Sequence, residues 1–441
     1  MKLFKTKLLF ILLLVFIVNI NYAQDSIPLS LSRTIELSVQ NNKDIVISNY
    51  RTNASEYALK EAKGNFLPKL FLNANYNRNI ERQVIFLPAE FGLGSSATKL
   101  GYDNDYRGAL NFSMPLYSSY NLTNKKFVET RYNLQNELGR GTQQAIVNAT
   151  KKAYFNYLIA SEIVKVQQRR LKNAEETVVD IEKRFKQGTL TNYDLTTAKV
   201  QVANAKNSLL EAQSNSLPAA NSLKLLIGLS DGDILKLTES IELMLDELSV
   251  EESIDEMLGK NSLLKQLKLD IELSDKQIEL TKSAYYPTLD AIGNYNYQTQ
   301  SDDFKVSEYD WVNTSVVGLQ FNFNIFNGTI TKNKVQQAEI NKKIAEEEVL
   351  YATTELKMRF NELLTQLDFS KQKVAVQKEN MDLTTEALAL VKKRYKFGIG
   401  TFLEVNDAEL SFTQARLGWL QAIATYKAAY YDYQLLIGKE I

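Results

Sequence analysis

The residues of this sequence that could carry chemistry are carboxylates, because the chain contains neither histidine nor cysteine. Their absence removes the commonest general base, the commonest nucleophile and the commonest ligands of transition metals. Asp194, Glu404 and Asp407 stand out among the acids, since they lie in or just after two copies of one short pattern. No nucleophile–base pair, metal-ligand cluster or phosphate-binding loop accompanies them in the sequence. The sequence therefore predicts a protein that is not an enzyme and that uses no cofactor or metal.

The pattern occurs first as R-F-K-Q-G-T-L-T-N-Y-D at Arg184–Asp194 and again as R-Y-K-F-G-I-G-T-F-L-E at Arg394–Glu404. The two copies are 394 − 184 = 210 positions apart, and the match continues without a gap for 45 residues until both copies end on L-L-I-G. The identical pairs along it are Arg184/Arg394, Lys186/Lys396, Gly188/Gly398, Thr191/Thr401, Ala198/Ala408, Ala205/Ala415, Leu210/Leu420, Ala212/Ala422 and Ala219/Ala429. A match held in register over this length indicates an internal duplication.

Each copy of the pattern predicts a tight turn between two helices. Gly188 and Gly398 follow long periodic segments, where a residue in the left-handed conformation commonly ends a helix. A threonine comes three residues later and an acid three residues after that, which is the spacing of a capping box at a helix N-terminus. Glu404 fits the acidic position of such a box better than Asp194 does. Two αα-hairpins are therefore expected, one in each half of the chain.

The segments around the hairpins predict a repeated order of elements. Three basic residues and an apolar run at 8–18, too short to span a bilayer, predict a signal peptide at residues 1–23, with cleavage after Ala23. We expect a first repeat at 24–228, an acidic connector at 229–260 and a second repeat at 261–441. The expected helices are 29–65, 119–187, 191–227, 261–284 and 329–397, and the expected strands begin at Pro68, Arg107, Pro287 and Thr314.

The four predicted strands alternate between apolar and polar residues. Leu70, Leu72, Leu319, Phe321 and Phe323 are expected on one face, and Asn73, Asn75, Asn294 and Asn322 on the other. The asparagine-rich face is typical of a wet barrel lumen. Four strands are too few to close a membrane barrel, and an open sheet in lipid would leave main-chain groups unpaired. The chain is therefore expected to share its sheet with copies of itself, as a dimer, a trimer or a larger ring.

The duplicated pattern, placed at two helical hairpins that follow pairs of strands, resembles the TolC family of outer-membrane efflux proteins. The resemblance covers nearly the whole chain beyond the signal peptide. It implies a mainly α fold with a transmembrane β-barrel. Long helical hairpins form a trimeric α-barrel in the periplasm, and four strands per protomer contribute to a shared twelve-stranded barrel in the outer membrane of a Gram-negative bacterium.

The resemblance also assigns roles to the hairpins. It implies that Glu404 and Asp407 ring the entrance and that Tyr395 and Asp194 form a hydrogen-bonded latch at the tip. The residues it presents to a periplasmic adaptor are Arg184, Gly188, Thr191, Arg394, Gly398 and Thr401. Gly400 stands where family members often carry an arginine that strengthens the latch, so a tightly locked resting state is not expected. Glu404 and Asp407 are alternatively explained as solvated acids favoured by the helix dipole.

The function that the resemblance implies is passive. The protein is expected to be a homotrimeric exit duct in outer-membrane lipid, working with a periplasmic adaptor (a membrane fusion protein) and an inner-membrane pump. The 52 basic residues balance the 52 acidic ones, which gives no indication of a nucleic-acid partner. An exit duct for type I protein secretion remains an alternative. A trimeric coiled-coil adhesin or rod is another, although such a stalk needs neither duplicated strands nor a polar strand face.

Overall fold

A computed structural model describes residues 27–86, 97–241 and 253–439 of the chain. The expected signal peptide at residues 1–23 lies outside these residues. So do the tip of the loop between the first two predicted strands and the middle of the acidic connector. The statements below concern the described residues.

Long helices alternate with pairs of strands in the order that the duplication predicts. The helices are α1 (Leu31–Asn41), α2 (Lys43–Gly64), α3 (Ser119–Lys186), α4 (Asn192–Ile227), α5 (Ile254–Lys260), α6 (Ser262–Lys282), α7 (Ile330–Lys396) and α8 (Phe402–Leu436). The strands are β1 (Ile27–Leu29), β2 (Lys69–Arg78), β3 (Val84–Phe86), β4 (Ala97–Lys99), β5 (Asn104–Ser118), β6 (Leu235–Leu237), β7 (Thr288–Ser301) and β8 (Val312–Asn322). We call α3 with α4 the first hairpin and α7 with α8 the second hairpin.

The long helices match their predicted bounds to within a few residues. Helix α3 has 68 residues and α7 has 67, so each is about 100 Å long at 1.5 Å per residue. One stripe of α7 is buried, at Ala345, Ala352, Leu356, Phe360, Leu363 and Leu367, and from Ala352 onward its members recur every three or four residues. Within the described residues, no helix combines the length and the apolar composition required to cross a lipid bilayer.

The chain divides into two compact units. The first comprises residues up to 49, 139–262 and 353–441, and it contains the turns of both hairpins. Its core is built from large side chains that are almost fully buried, including Tyr154, Trp419 and Tyr433. The second unit comprises residues 50–138 and 263–352, and it contains the strands β2, β5, β7 and β8.

These four strands form one antiparallel sheet in the order β2-β5-β7-β8, which leaves β2 and β8 at its edges. Directly opposite residues share a face, and the register puts Leu72 beside Leu110 and Leu110 beside Tyr295. On the other face Asn73 lies beside Ala109, and Asn111 accepts a 2.6 Å hydrogen bond from the side chain of Asn294. The predicted division into an apolar and a polar face is therefore confirmed for these strands.

The strand bounds depart from the prediction at two places. Strand β5 begins at Asn104 rather than Arg107, because its first three residues pair with both neighbours. Strand β8 ends at Asn322, so Phe323, which was predicted to be a strand residue, follows the last ladder pair. The loop predicted between β2 and β5 also contains a short antiparallel ribbon of β3 and β4.

The first helix, predicted as one segment at 29–65, is interrupted at Asn42. This residue is extended, with φ −60° and ψ 129°, and its side-chain oxygen accepts a 2.9 Å hydrogen bond from the N–H of Asp44. Its side-chain amide donates to the carbonyl of Leu226 at the end of α4, at 3.0 Å. Asn261 separates α5 from α6 in the same way, with ψ 125°, and donates to the carbonyl of Leu436 at 2.8 Å.

The connector at 229–260, predicted to be irregular, contains a strand and a helix. Strand β6 pairs in parallel with β1 near the N-terminus. Next to this pair, Glu239 accepts hydrogen bonds from the N–H of Leu31 at 3.2 Å and from the hydroxyl of Tyr154 at 3.4 Å. The same hydroxyl lies 3.2 Å from the carbonyl of Leu29. The connector therefore holds β1 and the start of α1 within the first unit.

Candidate functional site at the helical hairpins

The turns of the two hairpins have the same main-chain geometry. Gly188 has φ +75° and Gly398 has φ +76°, both in the left-handed region that only glycine adopts without strain. The N–H of Thr189 donates to the carbonyl of Arg184 and that of Ile399 donates to the carbonyl of Arg394, each at 3.0 Å. These bonds close a Schellman motif at the end of α3 and of α7. The predicted turn geometry is thus confirmed in both copies.

The capping boxes at the two hairpins differ, and in the opposite sense to the prediction. At the first hairpin Asp194 accepts from the N–H of Thr191 at 2.9 Å and from its hydroxyl at 2.7 Å, while the Thr191 hydroxyl accepts from the N–H of Asp194 at 3.3 Å. The box is complete, and the hydrogen bonds from Thr191 lower the pKa of Asp194. At the second hairpin only the bond from the N–H of Glu404 to the Thr401 hydroxyl is present, at 3.2 Å.

The carboxylate of Glu404 turns away from its own cap toward α7. Its Oε2 lies 3.7 Å from a guanidinium nitrogen of Arg394 and is buried without a hydrogen bond. The absence of a side chain at Gly400 leaves space for the Glu404 carboxylate. A Cβ at residue 400 would lie 3.1 Å from Glu404 Oε2 and 3.2 Å from the main-chain N of Tyr395. Gly400 therefore leaves room for the ion pair between Arg394 and Glu404.

The hydrogen bond expected between Tyr395 and Asp194 is not formed. The hydroxyl of Tyr395 is buried without a hydrogen-bond partner among the described residues, and Asp194 is engaged in its own cap. The centroid of the Tyr395 ring instead lies 4.9 Å from the guanidinium carbon of Arg184. The Nε of Arg184 forms an ion pair with a carboxylate oxygen of Asp180 at 2.9 Å. Burial raises the pKa of Tyr395, and the neighbouring Arg184 opposes this shift. The contact between these two predicted site residues is therefore a cation–π contact.

An apolar cluster joins the two hairpins within the chain. Phe402, the first residue of α8, packs on Ile181 of α3 and Ala198 of α4, which are 0% and 1% exposed. Val178, Leu190, Leu195 and Tyr395 surround these three residues. Sequence reasoning missed Phe402. A comparison of the two copies could have identified it, because the matching residue 210 positions earlier is the polar Asn192. A polar residue in one copy and an aromatic residue in the other indicate different surroundings for the two helix starts.

The two hairpins carry ion pairs at matching positions, but the acid and the base have changed places between the two helices. In the first hairpin Lys199 of α4 lies 3.6 Å from Glu182 of α3. In the second, Glu409 of α8 pairs with Lys392 of α7, at the matching positions. Glu409 also accepts a hydrogen bond from Asn173 of the first hairpin at 3.2 Å. The residues Asn173, Phe402 and Glu409 line a small cleft that is open to solvent.

The remaining predicted residues lie on the surface. Asp407 is exposed one helical turn beyond Glu404, and no ion pair involves it among the described residues. The last turn of α3 carries Lys183, Arg184 and Lys186, and the last turn of α7 carries Lys393, Arg394 and Lys396. Cations at the C-terminal ends of helices complement the helix dipole. Each hairpin therefore presents the same basic tip, K-R-F-K or K-R-Y-K, beside its glycine turn.

Comparison with known proteins places both halves of the chain in one family. The model of the family described as "Outer membrane efflux protein" matches residues 34–229 and 253–439. The outer membrane protein TolC of Escherichia coli K12 is 23% identical over 369 residues, which cover 78% of this chain and 73% of that protein. The antibiotic efflux pump outer membrane protein ArpC of Pseudomonas putida is 21% identical over 400 residues, covering 88% and 79%.

Solved structures of outer-membrane channels share the fold. The Campylobacter jejuni CmeC outer membrane channel superposes with a TM-score of 0.72 at 16% identity, covering 92% of this chain and 85% of that one. The open state of the Neisseria gonorrhoeae MtrE outer membrane channel gives a TM-score of 0.70 at 19% identity, covering 92% and 88%. The mainly helical fold with duplicated strands and hairpins is therefore a known channel fold.

Proposed function

Because this chain belongs to the outer membrane efflux protein family and is an outer-membrane channel, we propose that it serves as the passive exit duct of a tripartite efflux system. In this proposal an inner-membrane pump supplies the energy and a periplasmic adaptor joins the pump to the duct. The chain itself contributes a conduit and no covalent chemistry.

The observation that carries the proposal is the open four-stranded sheet. Its edge strands β2 and β8 have unpaired main-chain groups on one side, and leaving such groups in lipid costs several kcal/mol each. Strands β2 and β8 run in opposite directions, because the sheet is antiparallel and has an even number of strands. The β8 edge of one copy can therefore pair with the β2 edge of the next and continue the antiparallel order around a closed ring.

Three copies close this ring in our proposal, as the family membership supports. The ring would then contain twelve strands, with Leu72 and Leu319 facing lipid and Asn73 and Asn294 facing water. The hydrogen-bonded asparagines Asn111 and Asn294 would line the lumen. In this proposal the lumen is rich in side-chain amides, which suits the passage of solutes of varied chemistry. A rod without a lumen would have no use for this polar face.

The basic hairpin tips are the proposed contact with the adaptor. Arg184, Gly188 and Thr191 lie in the first tip and Arg394, Gly398 and Thr401 in the second, and the turn of each is exposed. The identical main-chain geometry of the two turns supports recognition of both by one type of adaptor surface. Three chains would present six such tips to the adaptor.

The entrance is proposed to lie at the start of α8. Three copies of Glu404 and Asp407 would surround one axis there, and carboxylates at a narrow entrance attract cations and repel anions. Arg394 partly neutralises Glu404, so Asp407 supplies the larger share of this field.

The proposal is tested by inserting the purified protein into planar lipid bilayers and measuring its mass by native mass spectrometry. We expect a trimer that conducts ions and that is retained by an immobilised adaptor from the same organism. A stable folded monomer, or a trimer that does not conduct under any applied voltage, contradicts the assignment as a channel.

A further inference from the structure

The junction between β8 and α7 differs from its duplicate in the first half of the chain. Strand β5 is followed directly by α3, whereas residues 323–329 separate the end of β8 from the start of α7. Gly328 and Thr329 in this segment both have φ +68°. Thr329 is the one non-glycine residue with a positive φ in the part of the chain that the structure describes. The two copies therefore do not share one geometry at this junction.

The left-handed threonine is a strained residue. Its branched Cβ crowds the main chain at positive φ, so this conformation persists only where the surrounding structure requires it. The turn is held by Asn327, whose side-chain amide donates a 2.5 Å hydrogen bond to the hydroxyl of Thr331, a residue that is 4% exposed. Residues on both sides of the strained turn, Asn327 and Ile330, line a cleft at the end of the sheet.

This cleft lies between the end of α6 and the start of α7 and is open to solvent. Its aromatic residues are each more than half exposed, at Tyr120, Tyr286, Phe321 and Phe323. Its polar lining includes amides and hydroxyls, at Gln277, Thr281, Asn322, Asn324, Asn327 and Thr331. Lys334 is the one charged residue that lines the cleft, and it forms no ion pair within the residues that the structure describes. The cleft therefore combines a free cation and neutral polar groups with an exposed aromatic surface.

The exposed apolar surface continues from the cleft along the segment between β8 and α7. Ile325 and Phe326 in this segment are 87% and 79% exposed, and an apolar surface of this kind commonly marks a contact with a partner or a membrane. In the proposed duct the strands end where the hydrocarbon of the bilayer gives way to headgroups. At that depth aromatic rings lie against acyl chains, and the ammonium group of a lysine reaches the phosphates.

We propose that the cleft binds an anionic glycerophospholipid of the periplasmic leaflet, one molecule per protomer. This inference rests on the proposed function, which places the sheet in the outer membrane. The ammonium group of Lys334 pairs with the lipid phosphate, and the amide of Asn324 donates to an oxygen of the headgroup. Phe321 and Phe323 contact an acyl chain.

The charge of the lining selects the headgroup. Phosphatidylglycerol carries only the charge of its phosphate, which Lys334 neutralises. Phosphatidylethanolamine carries an ammonium group as well, and no carboxylate is among the described residues that line the cleft. Removing an unpaired charge from water is unfavourable, so phosphatidylglycerol binds more tightly than phosphatidylethanolamine.

Native mass spectrometry of the purified trimer tests this selectivity. The trimer is delipidated in detergent and titrated with phosphatidylglycerol or with phosphatidylethanolamine of the same acyl chains. We expect up to three molecules of phosphatidylglycerol per trimer, bound more tightly than phosphatidylethanolamine. Lys334→Gln should weaken the binding of phosphatidylglycerol by about fivefold, the effect of one lysine near an anionic lipid surface. Lys332→Gln is the matched control and should leave the affinity unchanged, because Lys332 is exposed on the same helix but does not line the cleft.

The outcomes separate the inference from the proposed function. Equal affinities for the two lipids, or equal effects of the two lysine variants, overturn the inference. A trimer that conducts ions in planar bilayers but retains no phosphatidylglycerol also overturns the inference and leaves the proposed function intact. A protein that neither forms a trimer nor conducts ions overturns the proposed function as well.

A spin label tests the position of the exposed segment independently of lipid selectivity. The chain has no cysteine, so Ile325→Cys provides a single labelling site. In liposomes this label should collide more often with molecular oxygen, which is concentrated in the hydrocarbon, than with a water-soluble nickel chelate. A label on Lys396→Cys, at the opposite end of α7, should show the reverse preference. The same preference at both sites contradicts the placement of the cleft at the membrane.

Discussion

The guanidinium group of Arg184 lies 4.9 Å from the centroid of the Tyr395 ring, and this contact joins the first hairpin to the second. Both residues had been assigned from the sequence, Arg184 to the adaptor surface and Tyr395 to a hydrogen-bonded latch with Asp194. In the structure Tyr395 contacts Arg184 through its ring, and its hydroxyl makes no hydrogen bond with Asp194. Arg184, which forms an ion pair with Asp180, is therefore a contact of Tyr395 in the first hairpin.

The first prediction separates the ring of Tyr395 from its hydroxyl. Tyr395→Phe should leave the channel close to wild type, because the ring remains opposite Arg184. Tyr395→Leu and Arg184→Ala each remove the cation–π contact, which contributes about 0.5–1 kcal/mol at an exposed site. Both should raise the mean single-channel conductance in planar bilayers. Equal effects of Tyr395→Phe and Tyr395→Leu would show that the hydroxyl is the important group after all.

The second prediction concerns ion selectivity at the proposed entrance. Asp407→Asn should reduce the preference for cations more than Glu404→Gln does, because Arg394 already opposes the charge of Glu404 at 3.7 Å. The reversal potential under a salt gradient measures this preference. Glu409→Gln is a suitable control, since that acid is paired with Lys392 in the hairpin. A selectivity that survives both substitutions places the constriction elsewhere along the duct.

The third prediction concerns the cap of the first hairpin. Thr191→Ala removes a complete capping box and should destabilise the start of α4 by about 1 kcal/mol. Hydrogen–deuterium exchange of the peptide at residues 187–196 should accelerate. The matched variant Thr401→Ala removes only half a box at the second hairpin and should have the smaller effect.

The same cap gives a pH dependence. The pKa of Asp194 is lowered below its ordinary value of 3.8 in the folded protein. Its contribution is therefore complete above that ordinary value and is lost as the pH falls through the lower, folded value. Exchange at the first hairpin, corrected for the intrinsic rate, should increase only in that acidic range. Asp194→Asn should abolish the dependence, and a persistent dependence in this variant would assign it to another group.

The fourth prediction concerns the faces of the sheet in the assembled barrel. Single cysteines at the neighbouring positions Leu72 and Asn73 should react differently with a water-soluble maleimide, with Leu72→Cys slower because it faces lipid. Leu72→Arg should cost up to about 2–4 kcal/mol if the position lies at the bilayer midplane, and Asn73→Arg much less. Faster labelling at residue 72 than at residue 73 reverses the assignment of the two faces.

The fifth prediction concerns the interruption between α5 and α6. Asn261 is buried and donates to the carbonyl of Leu436 at 2.8 Å, so Asn261→Ala leaves that carbonyl unpaired at a cost of about 1–3 kcal/mol. The melting temperature of the trimer should fall. Asn207→Ala provides the control, since Asn207 is exposed and its amide donates a hydrogen bond to the side chain of Glu211 on its own helix. Equal shifts for the two variants would argue against a special role of Asn261.

The hairpins could be predicted from the sequence because their causes are local. At the first hairpin, Gly188 follows a long periodic segment and Thr191 comes three residues later. These local features are sufficient to locate the end of α3 and the turn that follows it. The two faces of the sheet were predictable for the same reason, since alternation along a strand assigns each side chain to a face before any partner is known.

The features that were missed depend on distant partners. Asn42 interrupts a helix that local propensity would continue, and one of its partners is Leu226, 184 positions away. The sequence alone could not show that Asp194 completes its capping box whereas Glu404 does not. The difference depends on Arg394, which lies close to Glu404. Phe402 was overlooked because a single aromatic residue at a helix start has no periodic signal, and only the comparison with Asn192 shows its meaning.

The pairing of β1 with β6 has a consequence for biogenesis. Ile27, the first residue of β1, lies beside Leu235, and Glu239 accepts a hydrogen bond from the N–H of Leu31, 208 positions earlier. A polypeptide is exported with its N-terminus first, so these early residues wait for their partners until the whole first repeat has been released. A chain that ends before Leu235 offers β1 neither the strand β6 nor the carboxylate of Glu239 as a partner. Strand β1 can therefore pair only after the first repeat and the start of the connector have been released.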